Sequence, residues 1–576
     1  MAYDLVITGG VVIDGTGLAR RRADVGIKDG TIVEVGHLTD SAAGARTIDA
    51  EGLMVAPGII DAHTHYDPQL TFDGYATSSC YHGVTTVLAG NCGFSIAPTN
   101  ADDRDYITRM FAKVEGMSPA TLSGVEWDFE SFPEYLDRRR GKLGVNLACY
   151  VGHSSVRRFV MGAAACEREA NDDEIERMRQ VVGGAMDAGA SGFSSSHAPT
   201  QLDGDDRPIP SRFSSLDELK VLVAEAGRHH GGSISYLPAS SIGGLDEKDK
   251  ELLIELGLAS RLPIIIQGLG GRNKVDAPTA GWDMASAFLD DAANRGAAIF
   301  SLLRNHPFDR GFTLASGTQL YDGVPSWHDV ARAGLSVTDK IAILNDPARR
   351  DGMRTGVDNP NRDPDKGSTL PPPHWGVMFV DEVSRPENEK YVRRSIEDIA
   401  NELGKPPADV MLDLALSEDL QMGFRWENKT PEWEEAVRES QQHPSMIIGV
   451  SDGGAHLDRD DGADWSSYFI RFWIYGRKLW TVEEGIRQMT QAPAALLGFA
   501  DRGMLLPGYK ADIMLFDPDT IAPDTKKLVP APGGDVRFLA RPKGVNATIV
   551  NGRPIVIDGE ITGELPGRIV SPNRPG

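Results

Sequence analysis

Apolar and polar positions alternate along this chain in two ways, and each way predicts a different kind of element. Residues 1–57 show the two-residue period of short strands, with the hairpin turn Asp29-Gly30 between two of them. The same two-residue alternation returns in residues 501–576. The predicted strands are Asp4 to Thr8, Val11 to Asp14, Val25 to Lys28, Thr31 to Val35, Ala511 to Phe516, Val545 to Val550 and Pro554 to Ile557. Because the ends of a domain often lie close together, we expect both segments to form one β-sandwich.

Residues 58–500 instead alternate apolar strands with helical segments, which indicates a parallel sheet with helical crossovers. One helix has clear boundaries: Ser215 and Glu218 predict a capping box, and Gly231-Gly232 predicts the end. Eight strands with helical crossovers favour an α/β fold that closes into a (β/α)8 TIM-like barrel. The eight candidates are Gly58 to Ala62, Thr85 to Gly90, Val145 to Val151, Gly192 to Ser195, Ser233 to Leu237, Pro263 to Gln267, Ala297 to Leu303 and Met446 to Ser451.

One stretch does not fit a barrel element. Residues 349–373 are rich in Asp, Asn, Pro and Gly, and so long an irregular segment is typical of an insertion. Two interpretations stay open: a long loop near the active face, or a disordered segment without a role.

Composition narrows the possible partners. Acidic side chains outnumber basic ones by 83 to 59, a net charge of −24, which argues against nucleic acid or an anionic membrane as partner. The first residues do not resemble a signal peptide and no apolar run reaches membrane-spanning length, so we expect a cytoplasmic protein. Four cysteines in 576 residues are too few for a disulfide framework. A cysteine with a particular role is therefore expected to be a metal ligand or a nucleophile rather than part of a disulfide.

The stretch Pro57 to His65, PGIIDAHTH, carries the first candidate chemistry. Side chains alternate along a strand, so His63 and His65 share one face at its carboxyl end. Two such imidazoles can chelate one divalent cation. Two unrelated surface histidines are the alternative, but barrel enzymes keep their catalytic groups at this end of the strands, which favours ligands.

Further motifs connect the chain with a known family. The stretches GVTTVLAGNCG at 83–93, GHSSVR at 152–157, SDGGAH at 451–456 and DRGMLLPGYKADIMLFDPD at 501–519 resemble the amidohydrolase superfamily, in particular its N-acyl-D-amino-acid deacylase (D-aminoacylase) branch. The resemblance implies a zinc hydrolase that cleaves a C–N amide bond with metal-activated water. It implies that Cys92 is a metal ligand in place of a carboxylated lysine. It also implies that Asp452 contacts the metal and acts as general base, then acid.

The chain departs from this family at two strands. The fifth and sixth strands of the family usually end in histidines, whereas here they carry Tyr236 and Gln267. We therefore expect one zinc ion rather than two, bound by His63, His65, Cys92 and Asp452. Tyr236 and Gln267 are expected to hydrogen-bond the substrate. His153 and His197 follow the third and fourth strands, and together they are the residues that could recruit a second ion.

The remaining candidates concern the substrate, expected to be a small N-acyl amino acid or N-acyl amine. Arg304, or less convincingly Arg459, is a candidate clamp for a substrate carboxylate. His153 either binds substrate or the developing oxyanion, or is a structural histidine. A cyclic amide, imide or lactone hydrolase, a deaminase and a non-catalytic binding protein remain alternatives. The sequence is compatible with a homo-oligomer.

Overall fold

The chain divides into two structural units. One unit consists of Met1–His197, Ile209–His306 and Glu435–Gly576, and the other of Ala198–Pro208 and Pro307–Glu434. The structure is a computed structural model, and it describes residues 3–38, 45–229, 231–241, 244–269, 281–307, 309–318, 320–332, 335–363, 372–427, 431–456, 462–524 and 526–572.

The first unit contains an eight-stranded parallel sheet that closes on itself. Past the end of the eighth strand, the amide of Ala62 donates to the carbonyl of Gly449 at 3.1 Å, and that of His65 to Gly453 at 2.7 Å. These bonds join the eighth strand to the first and confirm the predicted TIM-like barrel. The barrel strands, numbered first to eighth below, are Ile59–Asp61, Val84–Ala89, Asn146–Gly152, Gly192–Ser196, Ser233–Leu237, Ile264–Gln267, Ile299–Leu303 and Met446–Ile448.

The barrel strands are buried almost throughout because side chains fill the interior and helices cover the outside. Buried residues that meet in one core include Ile60, Leu88, Ala148, Ile265 and Leu302. The α-helices of this unit include Arg104–Val114, Pro119–Leu122, Phe132–Arg139, His153–Met161, Asp172–Ala188, Leu216–Ala226, Glu247–Ser260, Trp282–Asn294, Trp465–Tyr468, Val482–Met489 and Gln491–Leu496; the helix Pro431–Ser440 begins in the other unit, and Phe469–Gly476 is a π-helix.

The helix Leu216–Ala226 corrects two details of the prediction. Ser215 caps it as expected, because the Ser215 side chain accepts a hydrogen bond from the Glu218 amide at 3.1 Å. The predicted reciprocal bond is wrong, since the Glu218 carboxylate binds His153 and Arg157 instead. The helix also ends before the predicted Gly231-Gly232, and the amides of Arg228 and His229 bond carbonyls only three residues back.

Both chain ends contribute to one β-sandwich, as predicted. Its two sheets share a core that contains Leu5, Ile27 and Val55 from one end of the chain and Ile513 and Ile549 from the other. One sheet has the order Thr31–Gly36, Asp24–Lys28, Leu5–Thr8, Arg46–Asp49. The other has the order Glu560–Ile561, Arg553–Ile557, Val545–Val550, Ile513–Phe516, Met54–Pro57, Val11–Val12, Arg21–Arg22. Two further hairpins pair Ala522–Pro523 with Pro542–Lys543 and Lys527–Ala531 with Asp535–Leu539.

The second unit has its own core, which includes Tyr321, Trp327 and Met411. Its sheet orders Arg310–Phe312, Gly423–Trp426 and Met378–Glu382, and its α-helices include His328–Ala331, Val337–Leu344, Pro347–Asp358, Ile396–Leu403 and Pro407–Ser417. The loop predicted for residues 349–373 is therefore wrong over its first part, which is helical and capped by Asp346. Residues 364–371 lie outside the described residues. Among the described residues, no helix is long and apolar enough to cross a membrane.

Truncation tests the shared sandwich. The strand Ile513–Phe516 lies between Met54–Pro57 and Val545–Val550, so a chain that ends at Pro507 loses the centre of that sheet. We expect this chain to aggregate, because it exposes the apolar face of the N-terminal strands. Size-exclusion chromatography and light scattering measure this, with a chain lacking only residues 573–576 as control. A truncated protein that stays monodisperse and active would contradict the prediction.

Candidate metal centre

His63 and His65 lie just past the first barrel strand, where the chain continues beside the end of the eighth. Thr64 pairs with Gly453, so the two histidines flank a residue that is held in the sheet. Their rings meet edge to face with centroids 5.3 Å apart, and each residue is only 1% exposed. The alternation inferred from the sequence therefore brings both imidazoles to the same buried position.

Cys92 and Asp452 reach this position through an unusual backbone conformation. Both lie in the left-handed region, with φ of 57° and 55°, which costs a non-glycine residue about 1–3 kcal/mol. The surrounding structure holds each turn: the Gly93 amide donates to Ser194 at 3.0 Å, and the Asp452 amide donates to the His63 carbonyl at 3.2 Å. Strain of this kind is concentrated at functional sites.

Three of the four predicted ligands form one cluster, and the fourth, Asp452, lies beside its two histidines. The ligand atoms of His63, His65 and Cys92 all lie within 4.8 Å of one another. His63 Nε2 is 3.5 Å from Cys92 Sγ and 3.4 Å from Asp452 Oδ1. The same carboxylate oxygen is 3.7 Å from His65 Nε2.

The electrostatics of the cluster suit metal binding. Burial lowers the pKa of His63, and burial together with His63 lowers the pKa of His65 to about 3. Burial by itself would raise the pKa of Asp452, but His63 and Arg304 hold that pKa well below its usual range. Near neutral pH the cluster thus offers two uncharged imidazoles and one carboxylate, the protonation states in which these side chains bind metals.

Two of the four residues predicted to bind substrate join the cluster. The Gln267 side-chain amide donates to Asp452 Oδ1 at 3.1 Å, and its Oε1 lies 3.6 Å from Cys92 Sγ. Arg304 Nη1 donates to Asp452 Oδ2 at 3.2 Å. Each oxygen of the Asp452 carboxylate therefore has a donor that fixes its orientation.

The structure places His153 in a different network. Its Nδ1 bonds Ser195 at 2.8 Å and its Nε2 bonds Glu218 at 2.8 Å, and the residue is fully buried. Glu218 also pairs with Arg157. With both ring nitrogens bonded to protein, His153 has no atom left to bind substrate, and the structural interpretation fits these contacts.

Tyr236 is likewise bonded away from the cluster. Its hydroxyl lies 2.7 Å from His197 Nδ1, while His197 Nε2 lies 2.9 Å from the Ser214 hydroxyl. Burial raises the pKa of the Tyr236 phenol, so the side chain stays uncharged. Neither His153 nor His197 therefore has a free nitrogen to bind a second ion. Among the described residues, His63, His65 and Cys92 form the one group of side chains close enough together to hold a metal ion.

One acidic neighbour of the cluster, Glu115, was not predicted from the sequence. Glu115 is 5% exposed, and its Oε2 lies 3.5 Å from His65 Nε2. Burial, with the negative charges of Asp452 and Asp67, raises its pKa well above the usual range. Glu115 follows a helix rather than a barrel strand, so no pattern marked it. Arg459, the other candidate clamp, lies outside the described residues.

The donor set fits a zinc ion. Zinc bonds of about 2.0–2.3 Å place tetrahedral ligand atoms roughly 3.3–3.7 Å apart, which agrees with the 3.5, 3.4 and 3.7 Å separations in the cluster. Thiolate, imidazole and carboxylate are the ligand types that zinc takes in proteins. The Nε2 atoms of His63 and His65 face the other ligand atoms, so these are the nitrogens placed to coordinate; among the described residues their Nδ1 atoms have no hydrogen-bond partner.

A cleft opens beside the loops that carry these ligands. Its volume is about 420 Å³, counted with the solvent at its mouth, and its lining includes Pro68, Phe72, Met117, Leu122 and Gly454. Gly116, next to Glu115, also lines it. Most of this wall is apolar, so an apolar group finds space close to the ligand-bearing loops.

Comparison with known proteins agrees with this geometry. A model of the amidohydrolase family matches residues 46–294 and 393–556, and one of the N-terminal domain of the urease alpha subunit matches residues 1–56. The D-aminoacylase of Alcaligenes xylosoxydans xylosoxydans is 28% identical over 99% of this chain and 98% of that protein. The N-acyl-D-aspartate deacylase of the same organism is 27% identical over 99% of this chain and 95% of that protein.

Solved structures lead to the same family. A D-aminoacylase reported to have a binuclear metal centre, with one-metal activation and second-metal attenuation, superposes with a TM-score of 0.64 at 25% identity, covering 99% of this chain and 100% of that one. Since the family model covers more than half of the chain, this protein belongs to the amidohydrolase family.

Proposed function

We propose that this protein is a zinc-dependent deacylase that hydrolyses the C–N amide bond of N-acyl-D-amino acids. The observation that carries the proposal is the buried cluster of His63, His65 and Cys92 with the Asp452 carboxylate beside it. The names of the relatives, D-aminoacylase and N-acyl-D-aspartate deacylase, support the substrate class. The apolar cleft beside the cluster is proposed to take the acyl group.

Each residue has a definite task in this reaction. Zinc, when bound by His63, His65, Cys92 and Asp452, polarises the amide carbonyl and lowers the pKa of the attacking water. Asp452 accepts a proton from that water and later donates it to the leaving amine. Gln267 and Arg304 hold the two oxygens of Asp452, so the carboxylate meets the water in one orientation.

Metal analysis of the purified protein tests the first part of this proposal. We expect one tightly bound zinc per chain, because His153, His197 and Tyr236 bond one another or other protein groups. Anomalous scattering at the zinc edge shows where the ion binds. Two strong peaks roughly 3.5–4 Å apart would contradict the one-ion mechanism. A protein without metal, inactive even after zinc, cobalt or manganese is added, would instead be a binding protein.

A substrate screen tests the second part. N-acyl-D-amino acids should be hydrolysed, and the matching L-enantiomers and simple N-acyl amines serve as controls. Acyl groups from acetyl to longer chains show whether the apolar cleft contributes. Equal rates for D-amino-acid derivatives and carboxylate-free amines would contradict the proposed substrate class.

Replacing Arg304 tests more directly whether the substrate carries a carboxylate. Its guanidinium already lies against one carboxylate, that of Asp452, and arginine binds carboxylates strongly. We expect Arg304→Gln to lower kcat/KM for N-acyl amino acids about 10–100-fold more than for N-acyl amines without a carboxylate, the effect of losing one charged hydrogen bond. Equal losses for both substrates would show that Arg304 acts only on Asp452.

A further inference from the structure

We propose that Glu115 is a direct ligand of the metal ion, in place of the histidines that the fifth and sixth barrel strands lack. This inference rests on the proposed metal site. It adds a second carboxylate to His63, His65, Cys92 and Asp452, the residues that would hold a divalent transition-metal ion.

Distance is the first support. Glu115 Oε2 lies 3.5 Å from His65 Nε2, which equals the separation between Cys92 Sγ and His63 Nε2. It is also within the range of roughly 3.3–3.7 Å expected between neighbouring ligands of one zinc ion. Cys92 lies within 4.8 Å of both histidines, whereas Glu115 approaches the cluster at His65.

The absence of other partners is the second support. Two other buried carboxylates each have several partners: Glu218 bonds His153 and Arg157, and Asp512 bonds Arg502, Asn146 and the Asn551 amide. Among the described residues, the Glu115 carboxylate contacts His65 alone. A buried carboxylate without donors is costly, and a cation at this position would remove that cost.

The fold holds Glu115 where a ligand is needed. The residue caps the helix Arg104–Val114, its amide donating to the Phe111 carbonyl at 3.0 Å. Its own carbonyl accepts a hydrogen bond of 2.7 Å from the His456 amide, in the same loop as Asp452. The backbone therefore ties Glu115 directly to the loop that carries Asp452.

Charge balance is the third support. A thiolate and the two carboxylates of Asp452 and Glu115 contribute three negative charges, and the two imidazoles contribute none. The dication and Arg304, which bonds Asp452, contribute three positive charges. The five ligands, the ion and Arg304 are thus neutral together, which lowers the cost of burial.

The test compares Glu115→Ala and Glu115→Gln with the unaltered protein. The zinc dissociation constant is measured by competition with a chromophoric chelator. We expect it to rise more than about 100-fold in both variants, beyond the roughly 10–100-fold loss that follows when only a hydrogen-bonding partner of a ligand is removed. The visible spectrum of the cobalt-substituted protein should change in intensity, because the ion loses one oxygen ligand. Glu115→Gln keeps the size of the side chain and so preserves the fold if the alanine variant unfolds.

Asp67→Asn is the matched control. Asp67 is buried like Glu115, and one of its oxygens accepts from the Gly90 amide at 3.0 Å. Its negative charge acts on Glu115, but the described residues show no ion pair between Asp67 and His65. The control should therefore change the zinc affinity and the cobalt spectrum far less than the Glu115 variants do. Zinc affinity and cobalt spectra unchanged in both Glu115 variants would overturn the inference, as would a zinc-bound crystal structure with Glu115 far beyond the coordination distance of about 2.0–2.2 Å. Absence of zinc from the unaltered protein would instead refute the proposed function itself.

Discussion

Replacing Asp452 with asparagine is expected to lower kcat by about two to four orders of magnitude, the usual contribution of a general acid or base. An amide cannot accept the proton of the attacking water. Asparagine, like aspartate, tolerates the left-handed φ of 55° at this position, so the turn should keep its shape. Steady-state kinetics measure the effect, and the zinc content of the variant should fall much less than its turnover.

Two outcomes would contradict this assignment. Near-normal turnover in Asp452→Asn would show that another group moves the proton. Complete loss of zinc together with activity would show that Asp452 serves mainly as a ligand. Metal analysis and a thermal melt of the same preparation distinguish these outcomes from simple unfolding.

The second large effect is a difference between two alanine variants, of His63 and of His153, both of which are buried histidines at the end of a barrel strand. His63→Ala should abolish zinc binding and activity, because His63 Nε2 lies 3.5 Å from the thiol and 3.4 Å from the carboxylate of the cluster. His153→Ala should keep the zinc stoichiometry but lower the melting temperature, because it leaves Glu218 and Arg157 with a broken buried network.

Metal removal completes this comparison. A ligand present at 100 times its dissociation constant stabilises a protein by about 2.7 kcal/mol. We therefore expect a chelator to lower the melting temperature of the unaltered protein and of His153→Ala, but not that of His63→Ala. Loss of zinc from His153→Ala would contradict the structural role of that residue.

Strand ends explain which site residues the sequence could predict. These site residues all lie at the last position of a barrel strand or within a few residues after it, and parallel strands bring their carboxyl ends to one edge; they are His63, His65, Cys92, Gln267, Arg304 and Asp452. His153 and Tyr236 occupy the same kind of position, yet they bond Ser195, Glu218 and His197 instead. Position along a strand predicts the end of the barrel but not the partner of a side chain.

Hydrophobic periodicity predicted the barrel and the strands at both chain ends, because a buried face repeats with the period of its element. It also indicated the edge of the barrel where His63 and His65 lie, whereas Cys92 and Asp452 were proposed as ligands from the family resemblance. It did not distinguish barrel crossovers from the helices of the second unit, since both have one apolar face; the helix Pro347–Asp358 is an example. Only the tertiary structure placed Glu115 against His65. That contact joins residues fifty positions apart, one of which follows a helix. A local sequence pattern does not predict which distant residue such a position will contact.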